Sequence, residues 1–310
     1  MYHHSAQFQG KRPAHHRDPP PSTTARRTRG VSVVGGPGGR RGMVKRKIRL
    51  GDVWCSAEKV LEVTVGCKLS MVKESEMAGL NDSDLRILRF LGKFRFVPTR
   101  VIETECFPAQ SAKSAQAWTS RCLKKLRDNG LVERVQAFGG VWVHFLTECG
   151  SSLIGAEGGG GGVKLAEYQH DLLVLELWRV LSRRENVSGL VTERDARVTE
   201  SDVAKNPYAI PVTRLSGKRG VAWPDLVSGE RGYYTGYELE YSSKNRARLL
   251  HLMLGYGYAE SYRIGVYFTV PASATGVTDC AVEANRILED RGLGRPIAVR
   301  SLNDVVEVDL

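Results

Sequence analysis

Acid is nearly absent from the first fifty residues of this 310-residue chain, where Asp18 stands alone against twelve Lys and Arg. That local excess equals the formal net charge of +11, so the remainder of the chain is balanced. No apolar run reaches the ~18 residues of a membrane-spanning helix, which argues against insertion in a bilayer by that route. The basic N-terminus has no apolar segment behind it, so no secretory signal is visible. The six cysteines, Cys55, Cys67, Cys106, Cys122, Cys149 and Cys280, include no CxxC pair. Their scatter argues against a structural zinc site and for reduced thiols in a cytoplasmic protein. The motif GxxxxGK[ST] is missing as well. The glycine run EGGGGG at 157–162 therefore reads as a flexible linker, not as a phosphate-binding loop.

What is present divides the chain. Residues 1–45 are rich in Pro, Gly, Arg, His and Ser and read as a disordered basic tail. Such a tail can hold a polyanion by counterion release. It can equally be a leader ahead of a start at Met43, and both readings stand. Residues 46–80 have no clear pattern. Residues 81–155 predict three helices and a hairpin. The first helix starts at Asn81-Asp82-Ser83 and carries Leu85, Leu88 and Leu91 at helical spacing. The second has Pro98 in its first turn. The third starts near Ser111 and stops at Asn129-Gly130. Two alternating strands follow around Gly139-Gly140. This order predicts a winged helix-turn-helix. After the linker at 156–163, residues 164–310 predict an α/β domain with a mixed, helix-flanked sheet. Its expected parts are a helix over 166–184, strands near 187–198, 220–227 and 233–241, and a helix over 242–259. Then come a buried strand at 262–270, a helix over 278–291 and a last strand pair near 297–309.

The third helix has two faces. Ala115, Trp118, Thr119, Cys122 and Leu126 share the expected core side. Lys113, Gln116, Ser120, Lys124 and Arg127 lie opposite, with Arg121 at the edge and Arg134 and Gln136 leading into the hairpin. Small, polar and basic residues suit a helix in a major groove, where Gln reads adenine and Lys or Arg reads guanine or holds phosphate. Solvation alone also explains such a face. The segment SAQAWTSRCLKKLRDNGLVERVQAFGGVWVHFLTECG resembles the winged helices of bacterial regulators in its leucine-rich helix end and the "LT..G" after the wing.

The stretch AWPDLVSGERGYYTGYELEYSSK, residues 222–244, groups Asp225, Glu238, Glu240 and Lys244. Hydrolysis of a phosphodiester with Mg²⁺ or Mn²⁺ needs hard oxygen ligands and a nearby hydroxide. A hairpin would end one strand at Asp225 and project Glu238 and Glu240 from one face of the next, because strands have a period of two. The order fits the PD-x(n)-(D/E)-x-K pattern of a large nuclease superfamily, with one departure. Glu240 stands where the pattern has the lysine that stabilises developing negative charge. Lys244 is the expected substitute, and Glu193 a further carboxylate. A solvated edge with pairing to Arg246 or Arg248 is the plain alternative.

The combination of this hairpin with the winged helix, a His170-bearing helix, "TER", "PD" and a Tyr256-bearing helix resembles the replication-relaxation family of bacterial plasmids, integrative elements and phages. The likeness covers residues 81–270. It implies His170, Glu193, Pro224, Asp225, Glu238, Glu240, Lys244 and Tyr256 as characteristic positions. It also implies a DNA-binding protein acting in plasmid replication or conjugative transfer, and the displaced lysine points to a nuclease-like domain of weak or no activity. Two other readings stay open: a Mg²⁺-dependent endonuclease targeted by its winged helix, and a transcription regulator. Double-stranded DNA is the expected partner in each, and a homodimer is compatible with all three.

Overall fold

A computed structural model describes residues 79–306 except 160, 161, 165, 185, 186, 188, 214, 215, 230–232, 243, 244, 295 and 296. The basic tail, nearly all of the unassigned 46–80 segment, and Lys244 lie outside the described residues. The architecture is mixed α/β.

Helix α1 (Asp82–Lys93) starts where the sequence places it. The Asn81 side chain accepts from the Asp84 amide, and the Asp84 carboxylate accepts from the Asn81 amide. This reciprocal cap satisfies two N–H groups that the first turn leaves open. Strand β1 (Val97–Pro98) precedes α2 (Thr99–Cys106). Pro98 is therefore the residue before the second helix and part of a strand, not inside the first turn. Helix α3 (Ala112–Asp128) runs from a Ser111 cap to Asn129, where Gly130 takes the left-handed φ of 68° that ends it. Strands β2 (Val132–Gln136) and β3 (Trp142–Leu146) pair antiparallel, and β1 adds to β3 in the order β1-β3-β2. Helix α4 (Glu148–Ile154), which the sequence reading did not anticipate, closes this part.

Helix α5 (Tyr168–Leu181) opens the second part. Strand β4 (Val191–Thr192) is followed by α6 (Glu193–Val198), which corrects the strand expected over 187–198. Thr192 and Asp195 form a capping box there, so the "TER" segment turns into a helix. Strands β5 (Ile210–Thr213) and β6 (Arg219–Ala222) form a separate hairpin. Strands β7 (Leu226–Ser228) and β8 (Tyr234–Glu240), helix α7 (Arg246–Tyr258) and strand β9 (Tyr262–Thr269) follow. Helix α8 (Pro271–Asp290) begins a full two turns earlier than expected. Of the strand pair expected near 297–309, the described residues hold strand β10 (Ile297–Ser301) and a short 3-10 turn over Leu302–Asp304; residues 307–309 lie outside them. The main sheet has the order β10-β9-β8-β7-β4. Pairs β10–β9 and β9–β8 are parallel, the others antiparallel.

Each face of this sheet is covered. Tyr237, Leu239, Val266 and Phe268 pack with Leu173, Leu177 and Leu181 of α5. The opposite face packs under α7 and α8, through Met253, Tyr256, Cys280 and Ala284 among others. Helix α5 also turns Leu175 into the core of the first part, beside Ile87, Leu88 and Leu91. Trp178 touches both cores, with its ring 5.6 Å from Phe90 and 5.5 Å from Phe94. Polar ties reinforce the junction: Arg179 to Glu105 at 2.8 Å and Lys93 to Asp195 at 3.1 Å. The start of the glycine run is held too. Arg194 donates to the carbonyls of Phe94, Glu157 and Gly158. A Cβ on Gly159 would lie 2.2 Å from the Thr147 carbonyl oxygen. Residues 157–159 are thus packed against the fold, which corrects the reading of a free linker for that stretch.

Candidate functional site

Strand β8 reads YTGYELE, and its alternation decides where each carboxylate goes. Tyr237 and Leu239 face α5. Gly236, Glu238 and Glu240 face α7 and α8, and their β9 partners are Gly265, Tyr267 and Thr269. Gly236 and Gly265 leave a hollow that the Tyr256 ring of α7 fills; a Cβ on Gly236 would lie 2.4 Å from that ring. So seated, the Tyr256 hydroxyl donates to Glu238 Oε1 at 2.8 Å. Glu238 is 4% exposed and Glu240 0%. The Ser273 hydroxyl at the start of α8 donates to the Glu240 carbonyl, fastening the end of β8 beneath that helix.

Asp225 does not end a strand; it sits just before β7, where it meets three elements. Its Oδ2 accepts from the Leu239 amide at 2.8 Å and lies 3.5 Å from His170 Nε2 on α5. Its backbone carbonyl accepts from the Glu193 amide at 3.0 Å. Glu238 lies opposite Tyr267 in the register of β8 and β9, and all three carboxylates act on that side chain. Burial first, then the charges of Glu238, Glu240 and Asp225, push its hydroxyl well above the ordinary tyrosine range. That hydroxyl is fully buried and has no hydrogen-bond partner among the described residues. Glu193 is brought to Asp225 only through its backbone. Its carboxylate turns away to Arg197, its neighbour one helical turn on. Tyr267 and Asp171 went unnoticed in the sequence. Tyr267 alternates within an apolar strand and reads as core; Asp171 carries no signal beyond standing next to His170.

This donor set does not fit a hydrated divalent ion. Mg²⁺ keeps several waters and needs room for them. Here Glu240 is closed off from solvent, and Glu238 Oε1 is taken by Tyr256. Among the described residues no group of three or more His, Cys, Asp or Glu side chains is arranged to hold a metal.

His170 lies between two acids, with Nδ1 3.2 Å from Asp171 Oδ1 and Nε2 facing Asp225. Burial opposes its charge, but the hydrogen bonds to Asp171 and Asp225 outweigh that and push its pKa up to about 10. The folded chain then holds a proton that the unfolded chain releases near the ordinary value of about 6.5. Stability from this group is complete below that value and is lost as pH rises towards about 10. A His170→Gln variant is expected to be less stable than the native chain at pH 6, with the gap narrowing steadily up to pH 10. Urea denaturation of both proteins across that range checks it, and a gap independent of pH would contradict the doubly bridged imidazolium.

A second surface lies on α3. Lys113, Gln116, Ser120, Arg121 and Lys124 are exposed, Arg127 is half-buried, and Arg134 of β2 is exposed. The opposite side buries Ala115, Thr119, Cys122, Leu123 and Leu126. Trp118, expected in the core, is exposed instead, and Arg121 lies 4.4 Å over its ring. Lys124 pairs with Asp128 at 2.6 Å, a fully solvated pair of small energetic weight. Arg134 lies 4.2 Å over the ring of Trp142. Between α3 and the hairpin, His144 is pushed down to about 4 by burial and by Arg127 and Arg134, and its Nε2 meets the Thr99 hydroxyl at 2.9 Å. It is therefore neutral and structural at physiological pH.

Among the described residues no helix is long and apolar enough to cross a membrane. No protein-family model matches the chain, and no curated protein matches it.

Proposed function

We propose that residues 81–155 form a winged helix-turn-helix that binds double-stranded DNA through α3. The observation that carries this reading is the exposed stripe of Lys113, Gln116, Ser120 and Lys124 on the side of α3 turned away from its core. A rod of this width enters a major groove, where such side chains meet base edges and phosphates. Arg127 and Arg134 continue the stripe towards the hairpin, in the place from which a wing reaches the backbone. The resemblance to replication-relaxation proteins suggests the setting, a mobile element in plasmid replication or conjugative transfer.

The second part, on this reading, is a nuclease-like scaffold that supports binding and does not cut. The order β4-β7-β8-β9, with α5 ahead of it and α7 crossing from β8 to β9, suits the superfamily that the PD and ELE segments resemble. Burial of Glu238 and Glu240 argues against access by a phosphodiester. Glutamate in place of lysine argues against stabilising the charge that develops on it.

The test uses the full chain and a labelled duplex, with affinity followed by fluorescence anisotropy over a range of salt. Log affinity should fall linearly with log salt. Replacing Lys113, Gln116 and Lys124 together by alanine should weaken binding and flatten that slope by about 1–2, the share of two lysines at phosphates. A triple variant with native affinity, native slope and native thermal midpoint would remove α3 from the interface. Supercoiled plasmid with Mg²⁺ or Mn²⁺ should stay intact in the same preparation. Rapid cleavage that Asp225→Ala abolishes would replace this reading with the endonuclease.

A further inference from the structure

The tip of the β2–β3 hairpin is apolar and open to water. Phe138 is 66% exposed, Val141 44% and Trp142 40%. Clustered exposure of large apolar side chains marks a surface that meets something. The tip is also preformed. Gly139 and Gly140 take left-handed φ values of 71° and 77°, the Ala137 amide donates to the Val141 carbonyl, and Gln136 Nε2 donates to the Gly140 carbonyl at 3.2 Å. Behind it, Phe138 meets the Tyr168 ring of α5 edge-on at 5.7 Å.

Register decides which way Trp142 faces. Arg134 pairs with His144 and Gln136 with Trp142, so these four share one face of the hairpin. The same face continues inward through Val132 and Leu146 into the helical core, on the α3 side. The other face, Val135, Val143 and Phe145, packs with Phe96 and Tyr168. Trp142 therefore stands at the outer end of the groove between α3 and the hairpin.

Two cations accompany it. Arg134 covers part of the Trp142 ring, and Arg127 of α3 is close enough for Arg134 to lower its pKa, after burial. Neither guanidinium forms an ion pair with a carboxylate among the described residues; the neighbouring Asp128 is held by Lys124. Asp128 offsets part of the charge on Arg127, but the repulsion from Arg134 outweighs it, and a phosphate would relieve what remains.

We infer that this hairpin tip holds a DNA nucleotide lifted out of the stacked duplex, with its base on Trp142 and its adjacent phosphates on Arg127 and Arg134. The inference rests on the DNA-binding reading above and narrows its substrate to DNA containing unpaired or locally melted bases. A paired duplex offers base edges in its grooves, while the faces stay stacked on one another. An indole flanked by guanidinium groups matches a base face and its backbone, the pairing used by proteins that hold single strands. Such stacking is indifferent to sequence, so the tip would sense DNA structure while α3 reads the groove.

The experiment compares two labelled substrates with the full chain: a fully paired duplex, and the same duplex with a central unpaired bubble. The bubble should bind about tenfold more tightly, the contribution of roughly one base stacked on an aromatic ring. Trp142→Ala should abolish that preference, and Trp142→Phe should keep most of it. Trp142→Leu retains apolar bulk without a stacking face, so it decides the matter if the alanine variant lowers the thermal midpoint. Equal native affinity for the two substrates overturns the proposal while leaving duplex binding in place. So does a bubble preference that survives in Trp142→Leu. Absence of native binding to the paired duplex and the bubble alike overturns the DNA-binding reading, and this inference with it.

Discussion

Replacing Leu175 by alanine should lower the thermal midpoint of the whole described fold in a single transition. Leu175 is fully buried and points into the helical core with Ile87, Leu88 and Leu91, yet it belongs to the helix whose Leu173, Leu177 and Leu181 support the main sheet. Removing its isobutyl group leaves a cavity in one core while loosening the helix shared with the other. A buried Leu→Ala change costs about 2–5 kcal/mol. In a fold of this size each kcal/mol moves the midpoint by about 2–4 °C. Trp178→Ala should act in the same direction, because it removes the ring that packs on both Phe90 and Phe94. Differential scanning calorimetry distinguishes the alternatives. Two separate transitions, with only one displaced, would mean that the halves fold independently and that α5 does not couple them. The coupling also explains why DNA binding is best measured on the full chain: residues 81–155 alone lack Leu175 and Trp178.

Gly236→Ala should be the most damaging single-methyl change near the carboxylates. The added Cβ would lie 2.4 Å from Tyr256 Cε1 and 2.6 Å from its hydroxyl. Tyr256 cannot yield easily, since its ring is fully enclosed and also meets Tyr262 and Tyr267 edge-on. Displacing it would break the hydrogen bond to Glu238, a buried group. Overpacking costs about 1–3 kcal/mol, and a hydrogen bond to a charged group adds about 1.5–3. Tyr256→Phe keeps the ring and removes only the hydroxyl, so it should show the second part alone. Chemical denaturation of the native chain and the two variants orders them: native, then Tyr256→Phe, then Gly236→Ala. Tyr256→Phe as stable as the native chain would show that Glu238 does not depend on that hydroxyl.

How far the chain was readable depends on the range of the forces involved. Helices α1 and α3 were legible because their caps and periodicity are local. Asn81 with Asp84, Ser111, and Asn129-Gly130 act within one turn. Strand β8 was legible because alternation is local too, and it placed Glu238 and Glu240 on one face. Helix α6 was not legible. Its six residues are too few to show a helical period between Val191 and Val198, and the helix rests on the Thr192–Asp195 cap, on Lys93 of α1 reaching Asp195, and on Arg194 reaching the Phe94 carbonyl.

Sequence by itself determined the caps, the shared face of the two glutamates, the basic stripe of α3, and the arrival of Asp225 close to β8. Tertiary structure alone decided what covers each face. Trp118 and Leu123 lie on opposite flanks of the buried stripe of α3, and periodicity allows the core to extend either way. Packing buried Leu123 and left Trp118 in water under Arg121. Alternation likewise cannot say whether a carboxylate face is wet or dry. Helices α7 and α8, formed from residues further along the chain, close over Glu238 and Glu240, and Tyr256 reaches Glu238 only because two glycines on neighbouring strands lie in register beneath its ring.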